Sequence, residues 1–335
     1  MRARTHYPLG VVYKVERSYS KEDIRAHLDS IHASGFSHIV IWPPVYWWEP
    51  HDRQSFPTET GKFILGCAEQ NHLQVIVELA GQIPSLEYAP DFWMKPEFLV
   101  MDENSRPSEH SDGYYAINFN HPQVRKRVKA YLQAIASAYR DYSALYGYDI
   151  WNETQFTSFD PYTLKKFQQW LQRQYGDLHQ LNTAWERCYD RWEQVRPSRW
   201  DWASLIPFMD YERFKRANIG EILREWAAWL REIDPHHPIL ADNVGSMIAG
   251  EGEFLRPHDD WELSGAVDEP GISIYPKYYG EVEEPFRRWM VLDGFRATAQ
   301  GKPFWVAELQ THNTNLLLPT SSVTAGEIAI WTWEA

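Results

Sequence analysis

Two glutamates in this 335-residue chain sit where carboxylate chemistry would need them: Glu153 closes the apolar run YDIWNE (148–153) and Glu308 closes PFWVAE (303–308). Each is carried by a segment built for burial. Burial raises a carboxyl pKa, and a second carboxylate nearby raises one of the pair further. Two carboxyl groups held in opposite protonation states can break a glycosidic bond. The acid protonates the departing oxygen, while the carboxylate attacks the anomeric carbon or activates water. Asn152, directly before Glu153, is suited to hold a sugar 2-hydroxyl, a bond that strengthens in an oxocarbenium-like transition state. Either glutamate taken alone could instead serve a salt bridge to a barrel arginine.

Such a pair, far apart along the chain, needs a scaffold that brings strand ends together. Short apolar runs recur at 10–13 (GVVY), 38–42 (HIVIW), 73–79 (LQVIVEL), 148–151 (YDIW), 239–241 (ILA), 272–275 (ISIY) and 304–307 (FWVA). They do not alternate with polar residues, as expected for parallel strands buried on both faces. Stretches of helical period lie between most of them. Ser20 with Asp23 forms a capping box for a helix over 20–34 that Gly35 ends, and a second helix-like stretch covers 61–71. A third begins at Asn120 as cap with Pro122 in its first turn, a fourth at Asp160-Pro161 and ends at Gly176, and a fifth spans 210–233 before Pro235. The pattern predicts an α/β protein, a (β/α)8 TIM barrel over 1–335. It carries two long insertions, about 81–120 and 176–208, and the eighth strand is missing. An open doubly wound sheet is the competing architecture, but no GxGxxG turn follows the first strand. In a barrel the chemistry sits at the C-terminal ends of strands, here Glu78, Asn152, Glu153, Asp242, Asn243, Tyr275 and Glu308. Strands four and seven of eight face each other across the mouth.

Composition narrows the function. Lys plus Arg is 33 and Asp plus Glu is 46, a formal charge of −13 that repels nucleic acid. Aromatic residues make up 15% of the chain, with 17 Trp. Such rings stack on the C–H faces of sugars, or simply fill a core, and Trp42, Tyr46, Trp47 and Trp48 after strand two admit either use. Cys67 and Cys188 imply neither a disulfide framework nor a zinc site. His236-His237 reads as a turn, and Arg125-Lys126-Arg127 as a solvated helix face. The N-terminus lacks a signal-peptide core and no run is long enough to span a membrane, so the expectation is a cytoplasmic protein with no membrane partner.

The Asn-Glu pair closing strand four, a tyrosine closing strand six and a glutamate closing strand seven resemble the retaining glycosidases of clan A. The runs YGDLHQLNTAWERCYDRWEQV (175–195), MDYERFKRANI (209–219), Asp260-Trp261, VDEPGISIYP (267–276) and KPFWVAELQ (302–310) are similar to glycoside hydrolase family 42, the β-galactosidases. The likeness covers most of the chain, and YG-x-L-x-x-LN-x-AW is its most specific motif. The resemblance implies that Glu153 is the general acid/base and Glu308 the nucleophile. It also implies that Asn152 and Arg106 (in NSRPSEH) bind substrate and that Tyr275 hydrogen-bonds the nucleophile. The implied activity is retaining exo-hydrolysis of terminal β-D-galactosides, with a galactoside or oligosaccharide as substrate. An α-L-arabinopyranosidase, β-glucosidase or β-mannosidase, and a non-catalytic sugar-binding or inactive truncated barrel, are the alternatives. Many members bind zinc through cysteines after the acid/base glutamate. Residues 154–167 contain none, so no metal and no cofactor is expected. A homo-oligomer is expected if the full-length chain carries the family's later domains.

Overall fold

The computed structural model describes residues 8–16, 18–42, 56–79, 95–108, 117–198, 204–245, 257–277, 285–311 and 323–335. Among these residues, seven strands form one sheet in chain order: β1 Gly10–Lys14, β2 His38–Trp42, β3 Gln74–Glu78, β4 Leu145–Asp149, β5 Ile239–Val244, β6 Glu269–Ile274 and β7 Trp305–Leu309. Every neighbouring pair is parallel. The fold is α/β and TIM-barrel-like, an open half-barrel rather than a closed ring, with β1 and β7 as its outer strands. Its strands connect through α1 Lys21–Ala33, α2 Glu59–Gln70, α3 Pro122–Tyr139, α4 Pro161–Tyr175, α5 Leu178–Trp185, α6 Leu205–Arg231, α7 Asp260–Ala266 and α8 Pro285–Thr298; α9 Ala325–Glu334 follows β7.

The sheet is strongly curled. At the N-terminal ends of its strands, the His38 ring of β2 packs edge-on against Trp305 of β7, with centroids 5.4 Å apart, and Tyr146 of β4 touches both. Glu269 of β6 accepts from the Tyr146 hydroxyl (2.8 and 2.9 Å) and from Trp305 Nε1 (2.5 Å). Side chains from β2, β4, β6 and β7 thus plug the floor, as inward layers do in a barrel.

Local signals act largely as expected. Ser20 and Asp23 form the capping box of α1, and Asp160 caps α4 through the Tyr162 and Thr163 amides. The cap of α3 differs: His121 Nδ1 accepts the Gln123 amide at 3.2 Å. Asn120 is turned inward, donating to Thr163 Oγ1 at 2.9 Å, so its side chain is engaged elsewhere. Cys67 is buried and Cys188 exposed, each a free thiol.

Most tryptophan in the described core is packing. Trp151 stacks on Trp226 at 5.2 Å, and Phe119 wedges edge-on against both at 5.0 and 5.1 Å. A second, smaller core joins α4, α5 and the start of α6, with Phe167, Leu171, Leu181, Trp185, Tyr211 and Phe214 buried in it. Residues 46–48 and the Trp42 side chain lie outside the described residues, as does much of the 81–120 excursion. Among the described residues, no helix is long and apolar enough to cross a membrane.

Candidate active site

The chain leaves β4 at Asp149 and turns sharply. Trp151, fully buried in the aromatic triad with Trp226 and Phe119, anchors this turn from below. Its consequence is an elbow at Asn152-Glu153, where Glu153 takes φ +52°, a left-handed conformation rare for a β-carbon residue. β5 clamps it. The Glu153 amide donates to Asp242 Oδ1 at 3.3 Å, the Thr154 amide to the Asp242 carbonyl at 3.0 Å, and Thr154 Oγ1 to Asn243 Oδ1 at 2.5 Å. The strand expected to end at Trp151 therefore stops earlier, and β5 runs longer than its apolar core because Asp242 and Asn243 still pair with Gly271 and Ile272.

Glu308 arrives from the opposite side. It lies inside β7 rather than after it, next to a bulge at which Ile272 faces Val306 but Ser273 faces Glu308. Bulges re-aim side chains beside active sites. The Tyr275 hydroxyl, just past β6, donates to Glu308 Oε2. With its amide oriented to donate, Asn152 Nδ2 reaches Glu308 Oε1 at 3.3 Å and Asp242 Oδ1 at 3.1 Å. Asn152 is thus the direct link between the elbow and β7. Lys277 N–H donates to Gln310 Oε1 at 2.8 Å, tying the segment after Tyr275 to the end of β7.

Beneath these groups lie two more acids. Asp242 is 1% exposed and Asp149 6%. The Trp151 amide donates to Asp149 Oδ1 at 3.2 Å and the Ser273 hydroxyl to Asp242 Oδ2 at 2.9 Å. Burial, then the charges of Asp149, Glu308 and Glu153, hold the Asp242 carboxyl far above the usual carboxylate range. Burial, opposed by the Trp151 amide and reinforced by Glu308, raises Asp149 to about 7. Burial and the charge of Glu308 push the Tyr275 hydroxyl far up, so it stays protonated and available to donate.

Four of the five site residues expected from the sequence converge: Asn152, Glu153, Tyr275 and Glu308 are linked through one cluster, with Glu153 and Glu308 acting jointly on Asp242 and Tyr275. Arg106 is exposed on a turn whose backbone is pinned by the Asp102 carboxylate (2.9 Å). Among the described residues, no hydrogen bond or ion pair joins its guanidinium to the cluster. Asp149 and Ser273 went unnoticed in the sequence. Asp242 was visible there only as one of several strand-closing polar residues. The signal that could have found Asp149 is a lone acid inside an otherwise apolar strand, four residues before the elbow glutamate. Among the described residues, no group of three or more His, Cys, Asp or Glu is arranged to hold a metal ion.

The specific 175–195 motif builds support rather than site. Gly176 ends α4 at φ +78°. Tyr175 Oη and Trp185 Nε1 donate to Asp210 Oδ2 at 2.5 and 2.9 Å, and Asn182 exchanges hydrogen bonds with the Tyr189 backbone. This second core seats the start of α6, whose Tyr211 hydroxyl donates to the Ser158 carbonyl (2.8 Å) in the segment after the elbow.

Comparison with known proteins follows the same lines. The sequence profile of glycoside hydrolase family 42, described as Beta-galactosidase, matches residues 81–335. The β-galactosidase bgaB of Geobacillus kaustophilus is 26% identical over 206 residues, 58% of this chain and 29% of that protein. A β-galactosidase of Thermus thermophilus is 23% identical over 360 residues, covering 98% of this chain and 52% of that relative. The solved β-galactosidases of the Antarctic haloarchaeon Halorubrum lacusprofundi and of the psychrophilic Marinomonas ef1 superimpose with TM-scores of 0.82 and 0.80 at 20% and 18% identity. Each is matched over 98% of this chain and 51% or 52% of its own, a likeness of fold. The chain spans about half the length of these relatives or less.

Proposed function

Since the chain belongs to glycoside hydrolase family 42, we propose that it is a retaining exo-glycosidase that removes terminal β-D-galactose through Glu153 and Glu308. In the first step Glu153 gives its proton to the glycosidic oxygen as Glu308 attacks the anomeric carbon. The bond to the leaving group breaks and a covalent galactosyl-enzyme forms. Glu153, now a carboxylate, takes a proton from water. The resulting hydroxide equivalent displaces Glu308 and releases galactose with its original configuration.

The observation that carries this reading is the bridge made by Asn152, which bonds the β7 glutamate while sitting directly before the elbow glutamate. It supports two carboxyl groups addressing one glycosidic bond, one at its oxygen and one at its anomeric carbon. Tyr275 supports the nucleophile role of Glu308, because its hydroxyl fixes one carboxylate oxygen and leaves the other to attack. Asn152 would receive the sugar 2-hydroxyl, and Arg106 would reach the sugar from its turn.

The test is hydrolysis of a chromogenic aryl β-D-galactoside by this chain and by Glu308→Gln, alongside the corresponding glucoside, mannoside and α-L-arabinopyranoside. Turnover of the galactoside that Glu308→Gln abolishes, with the product released first as the β-anomer by NMR, is the expected result. Equal rates for the two proteins would end the enzyme reading, and preference for another glycoside would end the galactoside one.

A further inference from the structure

β5 grips the elbow through two consecutive residues, Asp242 and Asn243, and the second grip begins on another element. Asp260, the first residue of α7, is buried and accepts Asn243 Nδ2 at 2.9 Å through its Oδ1. Asn243 is fully buried, and its Oδ1 accepts the Thr154 hydroxyl at 2.5 Å. Thr154, fully buried as well, directly follows the left-handed Glu153. Three buried side chains thus run from a helix start, across a barrel strand, to the neighbour of the elbow glutamate.

We propose that Asp260, Asn243 and Thr154 form a relay of positioning residues that sets the orientation of Glu153 as the acid/base. Its effect on turnover rests on the hydrolase reading above, whereas its hold on the elbow does not.

The relay has a direction. An amide side chain has one donor end and one acceptor end. The Asp260 carboxyl oxygen takes the donor end of Asn243, so the acceptor end faces Thr154 and the Thr154 hydroxyl donates. Threonine is stiff at χ1, so pinning its hydroxyl pins the backbone from which it projects. The Thr154 amide is held too, by the Asp242 carbonyl at 3.0 Å. A left-handed glutamate persists only where its surroundings over-determine it, and Thr154 supplies that constraint from the C-terminal side.

The far end of the relay is equally firm. α7 packs against α6 at Gly220, where a Cβ would lie 2.4 Å from Glu262 Oε2, and Arg224 of α6 pairs with Glu262 at 2.9 Å. The same helix α6 donates from the Tyr211 hydroxyl to the Ser158 carbonyl at 2.8 Å. One helix therefore braces the segment 154–158 at both ends, directly at Ser158 and through α7 and Asn243 at Thr154. Glu308 and Tyr275 stand on other elements, so loosening the relay displaces the proton donor and leaves the nucleophile in place.

Two measurements test the relay. The first is kcat/KM, which reports the steps through formation of the galactosyl-enzyme, on phenyl and dinitrophenyl β-D-galactosides. Phenol needs a proton to depart and dinitrophenol does not. Thr154→Val keeps the shape and loses the hydroxyl. It is expected to cost ~100-fold on the phenyl galactoside, the scale of an ångström-level misplacement, and under ~10-fold on the dinitrophenyl one, whose departure needs no acid. Thr154→Ser, which keeps the donor, should recover most of that loss, and Asp260→Ala should repeat the leaving-group pattern. Equal losses on the two substrates, no loss on either, or no recovery in Thr154→Ser overturns the positioning role. The second measurement is hydrogen exchange by mass spectrometry over residues 151–158, expected to quicken in folded Thr154→Val and Asp260→Ala. Wild-type exchange in both variants overturns the relay, and if Thr154→Val does not fold, Asp260→Ala decides both readouts. Should wild type cleave no galactoside, the hydrolase reading fails and the acid/base role of the relay with it, while the exchange still decides whether the relay holds the elbow.

Discussion

The Tyr275 hydroxyl donates to Glu308 Oε2 across the gap between the end of β6 and the bulge in β7. This bond does two things for the proposed nucleophile. It fixes the carboxylate plane, and it stabilises the charged form. Tyr275→Phe is expected to lower kcat/KM by ~100-fold, the usual loss for one preorganised donor. Because the lost donor favoured the carboxylate, the acid limb of the pH–rate profile should move to higher pH. A limb that stays in place with full activity would show Tyr275 to be packing alone.

The roles of the two glutamates can be told apart by chemical rescue. Glu308→Gly with azide should yield an α-galactosyl azide, because azide replaces the carboxylate on the opposite face. Glu153→Gly should accumulate galactosyl-enzyme from an activated aryl substrate and then yield a β-galactosyl azide. Without azide, Glu153→Gln should lose ~10²–10⁴-fold on substrates with poor leaving groups, the range for general acid–base catalysis. The opposite pairing of variant and anomer would exchange the assignments.

Asp149 links stability to pH. Burial raises its pKa to about 7 in the fold, against about 3.9 for an unfolded aspartate. The folded chain thus binds the extra proton between those values, so its stability falls as pH rises from about 4 through about 7. Asp149→Asn removes that penalty. Its melting temperature relative to wild type should rise steadily across this window and level off above it, while activity declines. A constant difference from pH 4 to 8 by calorimetry would contradict this account.

β4 and β5 approach closely at Gly147, where a Cβ would lie 2.4 Å from the Pro238 carbonyl oxygen and 3.0 Å from Leu240 Cδ1. The first of these is backbone and cannot swing aside. Gly147→Ala should therefore cost ~1–3 kcal/mol, as overpacking does, read by urea denaturation. It should also reduce activity, since the same strand pair carries the elbow and its clamp. Unchanged stability would mean that β5 yields freely.

Much of this protein was legible in its residues. Continuous apolar runs marked every one of the seven strands, since burial on both sheet faces leaves no room for alternation. Helix stops such as Gly176, and caps such as Ser20 and Asp160, act within a few residues and so survive in any tertiary setting. Glu153 and Glu308 could be singled out because a carboxylate ending an apolar segment is costly anywhere but at a site. What sequence could not supply was anything decided by neighbours distant in the chain. The cap of α3 passed from Asn120 to His121 because Thr163 claims the asparagine. β5 extended because β6 offered partners. Asp149 and Asp242, ordinary acids when read alone, acquired shifted protonation only where strands β4, β5 and β7 bring four carboxyls into one dry space. Periodicity and capping are local energies, written residue by residue. Desolvation and charge repulsion depend on who stands across the barrel, and only the folded chain determines that.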